Sequence, residues 1–310
     1  MPASHDQFII RRNQCPGCSS TNLRYLYKRS YMDARMRQYM ELAYHGGAEY
    51  EYVGGANFEI AECAECHLLF QTDVLNEIGL QRLYDVWINA DLAKQWFTEN
   101  QNMAEEQFRI ETLCFAKHYL RHSKLKLLDY GAGFGGFCRS GKTLGFDVAA
   151  FEFSRARAAA LRSQGISALM PGDELNSDYD LIILNQVLEH LTDPFETLQR
   201  VNQALRDDGL VFVAVPNCRG LTRTLRRVDS LSIPQFQQAL LGCSAFQHIN
   251  SFTAKSLTNI CERADFVRVF DPFASFVCYR PSVSPIAFAK KVTKPFYRYL
   301  FSTVAFFRKK

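Results

Sequence analysis

The run Leu127-Leu128-Asp129-Tyr130-Gly131-Ala132-Gly133-Phe134-Gly135-Gly136-Phe137 decides the fold. Leu125 to Tyr130 reads as a buried strand that runs straight into glycines, and Phe137 to Leu144 reads as the helix that follows. Glycine at 131, 133 and 135 lets the backbone turn sharply and approach a ligand where a Cβ would clash. Alone, such a loop fits a dinucleotide-binding turn, a phosphate loop or a plain tight turn. Two acidic residues narrow the choice. Asp129 sits at the strand end just before the glycines. Glu152 ends the next strand, about 20 residues on, where a carboxylate can take both hydroxyls of a ribose.

Outward from the loop, strand and helix signals alternate. Val148 to Phe153 is a strand, Arg155 to Gln164 a helix ended by Gly165, and Ser167 to Met170 a short third strand. Tyr179 to Asn185 is a fourth strand, Pro194 to Leu205 a helix, and Leu210 to Val215 a fifth strand closed by Pro216. Continuous apolar strands between helices imply a parallel sheet covered on both faces. The expected fold class is therefore α/β, a Rossmann-like doubly wound, mostly parallel sheet over residues 125–280. Ligands lie outside the carboxyl ends of such strands, at the switch in strand order. Asp129, the glycines and Glu152 all belong there.

Upstream, residues 72–124 read as a helical linker or cap. Leu80, Leu83, Tyr84 and Trp87 recur at helical spacing, and Phe108, Thr112, Phe115 and Tyr119 continue the pattern. Residues 1–71 hold two Cys-x-x-Cys pairs, Cys15/Cys18 and Cys63/Cys66. Two such pairs complete a tetrahedral thiolate site, and four closed ligands make it structural and not catalytic. Redox pairs or unrelated cysteines are the alternatives, and His67 beside the second pair is not needed. The expected module is small and zinc-ribbon-like. The long gap between the pairs suggests that Tyr25 to Glu62 forms an inserted hairpin or substrate lid, dense in aromatics (Tyr31, Tyr39, Tyr44, Tyr50, Tyr52, Phe58). The other six cysteines (Cys114, Cys138, Cys218, Cys243, Cys261, Cys278) stand singly and read as small core or surface residues.

At this point the chain resembles a known family. Leu127 to Phe137 is similar to the first motif of class I S-adenosylmethionine-dependent methyltransferases, and Glu152 matches their acidic residue after the second strand. Asp178 to Pro194, with Glu189-His190, resembles their fourth-strand segment. Leu205 to Asn217 resembles the following helix end and fifth strand. His248-Ile249-Asn250-Ser251-Phe252-Thr253, then Leu257 and Ala264-Asp265-Phe266, is similar to a downstream segment of a widespread bacterial subgroup, which usually carries Gly where this chain has Asp265. The resemblance implies that Gly131, Gly133 and Gly135 admit the methionine moiety and backbone of S-adenosylmethionine, and that Asp129 orients that loop. It implies that Glu152 holds the ribose hydroxyls, Phe153 flanks the adenine, Asp173 receives the adenine amino group, and Asn185 and Gln186 line the floor near the methyl. His190 and His248 become the candidate bases, since histidine titrates near neutrality; the alternative for each is a hydrogen-bonded residue that shapes the pocket. The zinc-first layout resembles bacterial methyltransferases of sugar and surface-polysaccharide pathways, though sugar C-methyltransferases of this layout usually carry a further C-terminal domain. The expected acceptor is a small molecule or a lipid-linked sugar.

Composition bounds these readings. An apolar share of 47% and a charged share of 22% are those of a globular chain. Residues 281–310 hold 7 Lys/Arg and no acid, so the remainder carries 29 basic and 32 acidic residues, a sum of −3. A body of that charge is not built to bind phosphate polymers, and no nucleic-acid partner is expected. No leader or spanning segment is read, so the expectation is cytoplasmic. The basic aromatic tail (Phe288, Lys290, Lys291, Lys294, Phe296, Tyr297, Arg298, Tyr299, Phe301, Phe306, Phe307, Arg308, Lys309, Lys310) suits either peripheral contact with the inner membrane face or a helix packed on the protein itself. Rival functions are a non-catalytic binding module of the same fold, a nucleic-acid methyltransferase and an NAD-dependent Rossmann enzyme.

Overall fold

The computed structural model describes residues 8–88, 103–120, 123–270 and 302–310. Elements are numbered along the chain. The chain forms two compact units that interleave in sequence. The first comprises Met1–Asn100, Glu189–Pro194 and Pro216–Ser256; the second comprises Gln101–Leu188, Phe195–Val215 and Leu257–Lys310.

In the first unit, β1 (Ile9–Arg11) pairs antiparallel with β5 (Asp73–Leu75). A four-stranded antiparallel sheet runs in the order β11 (Asn250–Ser251), β4 (Leu69–Gln71), β3 (Asn57–Cys63), β2 (Leu23–Ser30). Between β2 and β3 the chain inserts α1 (Ala34–Tyr44) and α2 (Tyr50–Val53). Asp33 starts α1 by accepting a hydrogen bond from the Arg35 N–H at 2.9 Å, satisfying one of the orphan donors of a helix start. The Tyr25–Glu62 segment is thus a β2–β3 hairpin with two helices in it. Tyr31, Tyr39, Tyr44 and Phe58 are all buried; they form the core of the unit. The Tyr31 ring stacks on Phe246 at 4.4 Å, and the Tyr39 hydroxyl accepts from the Ala245 N–H at 3.1 Å.

That core also redraws the boundaries read from the sequence. Residues 216–256 fall in the first unit and not with the parallel sheet. They carry α8 (Leu221–Leu225) and α9 (Ile233–Ala239), and they bury Leu221, Leu225, Phe236, Leu240 and Phe246 among the N-terminal aromatics. The expected helical stretch 72–124 divides as well. It opens with β5, continues into α3 (Glu77–Arg82) and one π-helical turn, Leu83–Trp87, and resumes in the second unit as α4 (Met103–Leu120). Leu83 and Trp87 are buried, as their spacing predicts.

The second unit is built on a seven-stranded sheet. Five strands are parallel: β8 (Ser167–Leu169), β7 (Asp147–Phe151), β6 (Lys126–Tyr130), β9 (Tyr179–Asn185) and β10 (Leu205–Ala214). The helices α5 (Gly136–Thr143), α6 (Arg155–Ser163), α7 (Pro194–Ala204) and α10 (Ala254–Arg263) alternate with them along the chain. Strand order reverses at β6, which has β7 on one side and β9 on the other. Its carboxyl end is therefore the switch point at which ligands bind in such sheets.

The two remaining strands correct the reading of the tail. β13 (Val304–Lys309) lies antiparallel between β10 and β12 (Phe266–Arg268). Ala305 and Phe307 are buried, and Phe306 packs on Phe115 at 4.4 Å and Phe212 at 4.9 Å. The last residues are thus an inner strand, neither a free basic tail nor a helix, because their period-2 alternation completes the sheet. Phe288 to Phe301 of the expected tail, and Cys278, lie outside the described residues. No described helix is long and apolar enough to cross a membrane.

Candidate active site

The glycine loop is lashed to the end of β7: the Gly131 and Ala132 N–H groups both donate to the Phe151 carbonyl, at 2.7 and 3.1 Å. Gly131, Gly133 and Gly135 have φ of +76°, +57° and +76°, a region costly for residues with a Cβ. A Cβ on Gly131 would stand 2.7 Å from Val187 Cγ2, whereas one on Gly133 would meet nothing within 4 Å. Gly131 is thus required by close packing, and Gly133 opens onto space that a ligand can occupy.

Glu152 lies just past β7, buried, and both of its oxygens are used to fix it. Oε2 accepts from the Gly133 N–H at 2.7 Å, and Oε1 accepts from the Ser154 N–H at 2.9 Å. Each carboxylate oxygen accepts more than one hydrogen bond, so the clamped group keeps acceptor capacity toward the loop. Phe153 is 46% exposed. Its ring is held edge-on to Phe151 at 5.3 Å, which leaves a flat apolar face beside the carboxylate.

Asp129 is fully enclosed at the end of β6. The Cys138 thiol donates to its Oδ2 at 3.3 Å. Burial pushes Asp129 up to about 7, and the nearby charge of Glu152 adds to the shift. Burial, with Asp129 beside it, also drives the Cys138 thiol far up. Cys138 reads from sequence as one of the scattered cysteines; only the turn of α5 brings it to Asp129. Arg109 on α4 was equally invisible, since it falls off the apolar stripe of that helix. It is buried, its side chain would lie 3.3 Å from a Cβ at Gly136, and its guanidinium bonds Glu106 at 2.9 Å. Glu106 in turn accepts from the Ser140 hydroxyl of α5 at 2.9 Å, so α4 braces the helix that the glycine loop opens.

The other expected residues are placed less uniformly. Asn185 ends β9 in register with Ala214. Gln186 takes a left-handed φ of +57° and returns its backbone N–H to the Ala214 carbonyl at 2.7 Å. Asp173 is exposed and closes its own turn, accepting from the Met170 N–H at 2.8 Å.

The model of the methyltransferase-domain family matches residues 97–269. The chain belongs to that family. It is an S-adenosylmethionine-dependent methyltransferase of class I fold. No curated protein sequence matches it significantly. Similar solved structures include the plantazolicin methyltransferase BpumL in complex with a pentazolic desmethylPZN analog and SAH, 14% identical with a TM-score of 0.49, covering 71% of this chain and 90% of that one. The plantazolicin methyltransferase BamL, with a triazolic analog and SAH, is 11% identical, with a TM-score of 0.46 and coverage of 70% and 88%. A TehB-like SAM-dependent methyltransferase from Corynebacterium glutamicum is 17% identical, with a TM-score of 0.40 and coverage of 71% and 97%.

In the methyltransferase's first unit the four expected cysteines converge. Their sulfurs all lie within 4.8 Å of one another. The short contacts cross between the pairs: Cys15 to Cys66 and Cys18 to Cys63, both at 3.4 Å. A zinc with four thiolates at 2.3 Å separates sulfurs by about 3.8 Å, while a disulfide needs about 2.05 Å; the arrangement fits the metal. Each pair is wound in the same way. Ser19 and His67, the residues after the second cysteine of each pair, are left-handed at φ of +59° and +61°. His67 thus serves the turn and not the sulfur set.

The two candidate bases also meet in that unit. The His190 and His248 rings lie edge to face, 4.9 Å apart. His248 Nδ1 lies 2.5 Å from the Leu241 carbonyl, which makes Nδ1 the donor and leaves Nε2 as a bare acceptor. Burial lowers the His248 pKa below its ordinary value, against the pull of the Leu241 carbonyl. Glu189, directly before His190 in the chain, is fully buried, and burial pushes it up to about 8.

Proposed function

We propose that the chain transfers the methyl group of S-adenosylmethionine to a small-molecule acceptor, a sugar, glycolipid or related metabolite, and that Cys15, Cys18, Cys63 and Cys66 hold a structural zinc. One observation carries the cofactor site: the Glu152 carboxylate is pinned by two backbone N–H groups, one of them from Gly133 in the glycine loop. In this reading Glu152 takes the ribose hydroxyls, Phe153 covers the adenine, and Gly131, Gly133 and Gly135 admit the methionine portion. Asp129 and Cys138 hold the loop's base, and Asn185 and Gln186 border the methyl. Asp173, anchored in its turn by the Met170 N–H, keeps acceptor capacity for the adenine amino group.

The cofactor, when bound, supplies a methyl on a sulfonium already activated for displacement. The chain's own task is then alignment and exclusion of water. The acceptor class rests on two features: the −3 sum of residues 1–280, which disfavours a phosphate polymer, and the zinc-first layout. Calorimetric titration of zinc-replete protein with S-adenosylmethionine tests the site, with NAD as competitor. The expected result is micromolar binding that NAD does not displace. Release of S-adenosylhomocysteine upon addition of nucleotide-linked sugars tests the acceptor; turnover with RNA or DNA instead, steeply weakened by salt, would remove the sugar reading.

A further inference from the structure

Glu189 poses a physical problem. It is fully buried, and among the described residues neither carboxylate oxygen has a hydrogen-bond partner. A buried carboxyl in that state either keeps its proton or faces a cation. Two imidazoles stand beside it, and one ligand atom from each of Glu189, His190 and His248 lies within 4.8 Å of the others. We propose that these three residues form a second metal site that takes a divalent transition ion, such as manganese or zinc.

Three features of the surroundings support this. The Leu241 carbonyl accepts a hydrogen bond from His248 Nδ1–H, the outer contact that fixes the tautomer and orientation of metal-bound histidines. The two ligand-bearing segments are tied together without the metal. Asn250 Nδ2 donates to the Leu191 carbonyl at 2.7 Å, and Arg12 bridges the Thr192 and Ile249 carbonyls at 3.3 and 2.8 Å. Gln71, itself buried, donates to the His248 carbonyl at 3.0 Å. The ligand set also differs in kind from the cysteine site: one oxygen and two nitrogens suit harder ions than four thiolates do, and three ligands leave positions open for water or an oxygen-bearing compound. The histidines then act as ligands in place of the general bases their sequence context suggested.

The inference does not depend on the identity of the acceptor, and its test needs no turnover. Full-length protein with one zinc per chain in the cysteine site is titrated with Mn²⁺, and the free ion is followed by electron paramagnetic resonance. One Mn²⁺ is expected to bind per chain, with affinity at least ~10-fold weaker in Glu189→Gln and His248→Gln. Zinc content and circular dichroism matching the parent show that these variants are folded. Pulsed resonance on the parent needs no variant and should show two imidazole nitrogens coupled to the bound manganese. A parent that takes up neither manganese nor a second zinc overturns the site, as does bound manganese with no nitrogen coupling or with affinity unchanged in folded variants.

Discussion

At the scale of single residues, the site is a set of side chains whose freedom has been removed by the backbone. Glu152 has both oxygens engaged by N–H groups, so truncation removes a charged acceptor and also releases the loop. Glu152→Ala should weaken S-adenosylmethionine binding by roughly 10- to 100-fold, the worth of one charged hydrogen-bonding group, as read by calorimetry. Asp129 makes a different prediction. Its folded pKa is raised to about 7, while an unfolded aspartate titrates near ~3.9. Between these values the folded state holds the proton and the unfolded state does not. Asp129 therefore contributes stability at low pH that is lost as pH rises to about 7. Asp129→Asn should flatten that part of the curve of denaturation midpoint against pH; an unchanged slope would show that the group is already ionised. Asp265 has φ of +61°. Aspartate tolerates that conformation and β-branched residues do not. Asp265→Val should cost about 1–2 kcal/mol in urea denaturation, while Asp265→Gly should be near neutral.

At the scale of elements, β13 carries the sharpest expectation. Phe307 is fully buried in a strand hydrogen-bonded on both sides. Phe307→Ala should cost about 3–5 kcal/mol, measurable as a shifted urea midpoint, whereas the same change in a surface-lying tail would cost nothing. The parallel strands were legible because each is a short apolar run bounded by turn residues, and β9 spans Tyr179–Asn185 as its pattern predicts. β13 was not legible. Two phenylalanines beside Arg308, Lys309 and Lys310 look like a membrane-surface segment, and its partners β10 and β12 are remote in sequence. The aromatics of the first unit were legible as a dense cluster in an inserted hairpin, but not their partners: Tyr31, Tyr39, Tyr44 and Phe58 are buried, packed with residues that arrive from 216–256. Periodicity reports which face of an element is apolar and says nothing about which distant segment covers it. In the candidate site, the turn at the glycines and the strand-end place of Glu152 were legible from spacing. Cys138 and Arg109 were not, since each matters only through a neighbour that the fold supplies.

At the scale of the whole molecule, neither unit is a contiguous piece of chain. Residues 1–100 alone lack the buried side chains of Leu221, Phe236 and Phe246, so a fragment ending there should show no cooperative unfolding, whereas the full chain should. If zinc joins the four cysteines, its binding free energy is folding free energy for this unit. Chelation should then lower the melting temperature, by about 4 kcal/mol of stability where metal had stood at a thousandfold excess over its Kd. Cys63→Ser should remove one zinc equivalent with the same result. The inner position of β13 has a consequence for how the protein is made. β10 and β12 are both translated before the strand that must lie between them, and at cellular rates of about 5–20 residues per second the wait is roughly 2 to 7 seconds. For that time the nascent sheet offers open backbone edges and the unfilled seat of Phe307. Synthesis in cells is thus the period when this protein most needs a chaperone, and slowing translation across the stretch before Val304 should lower its soluble yield.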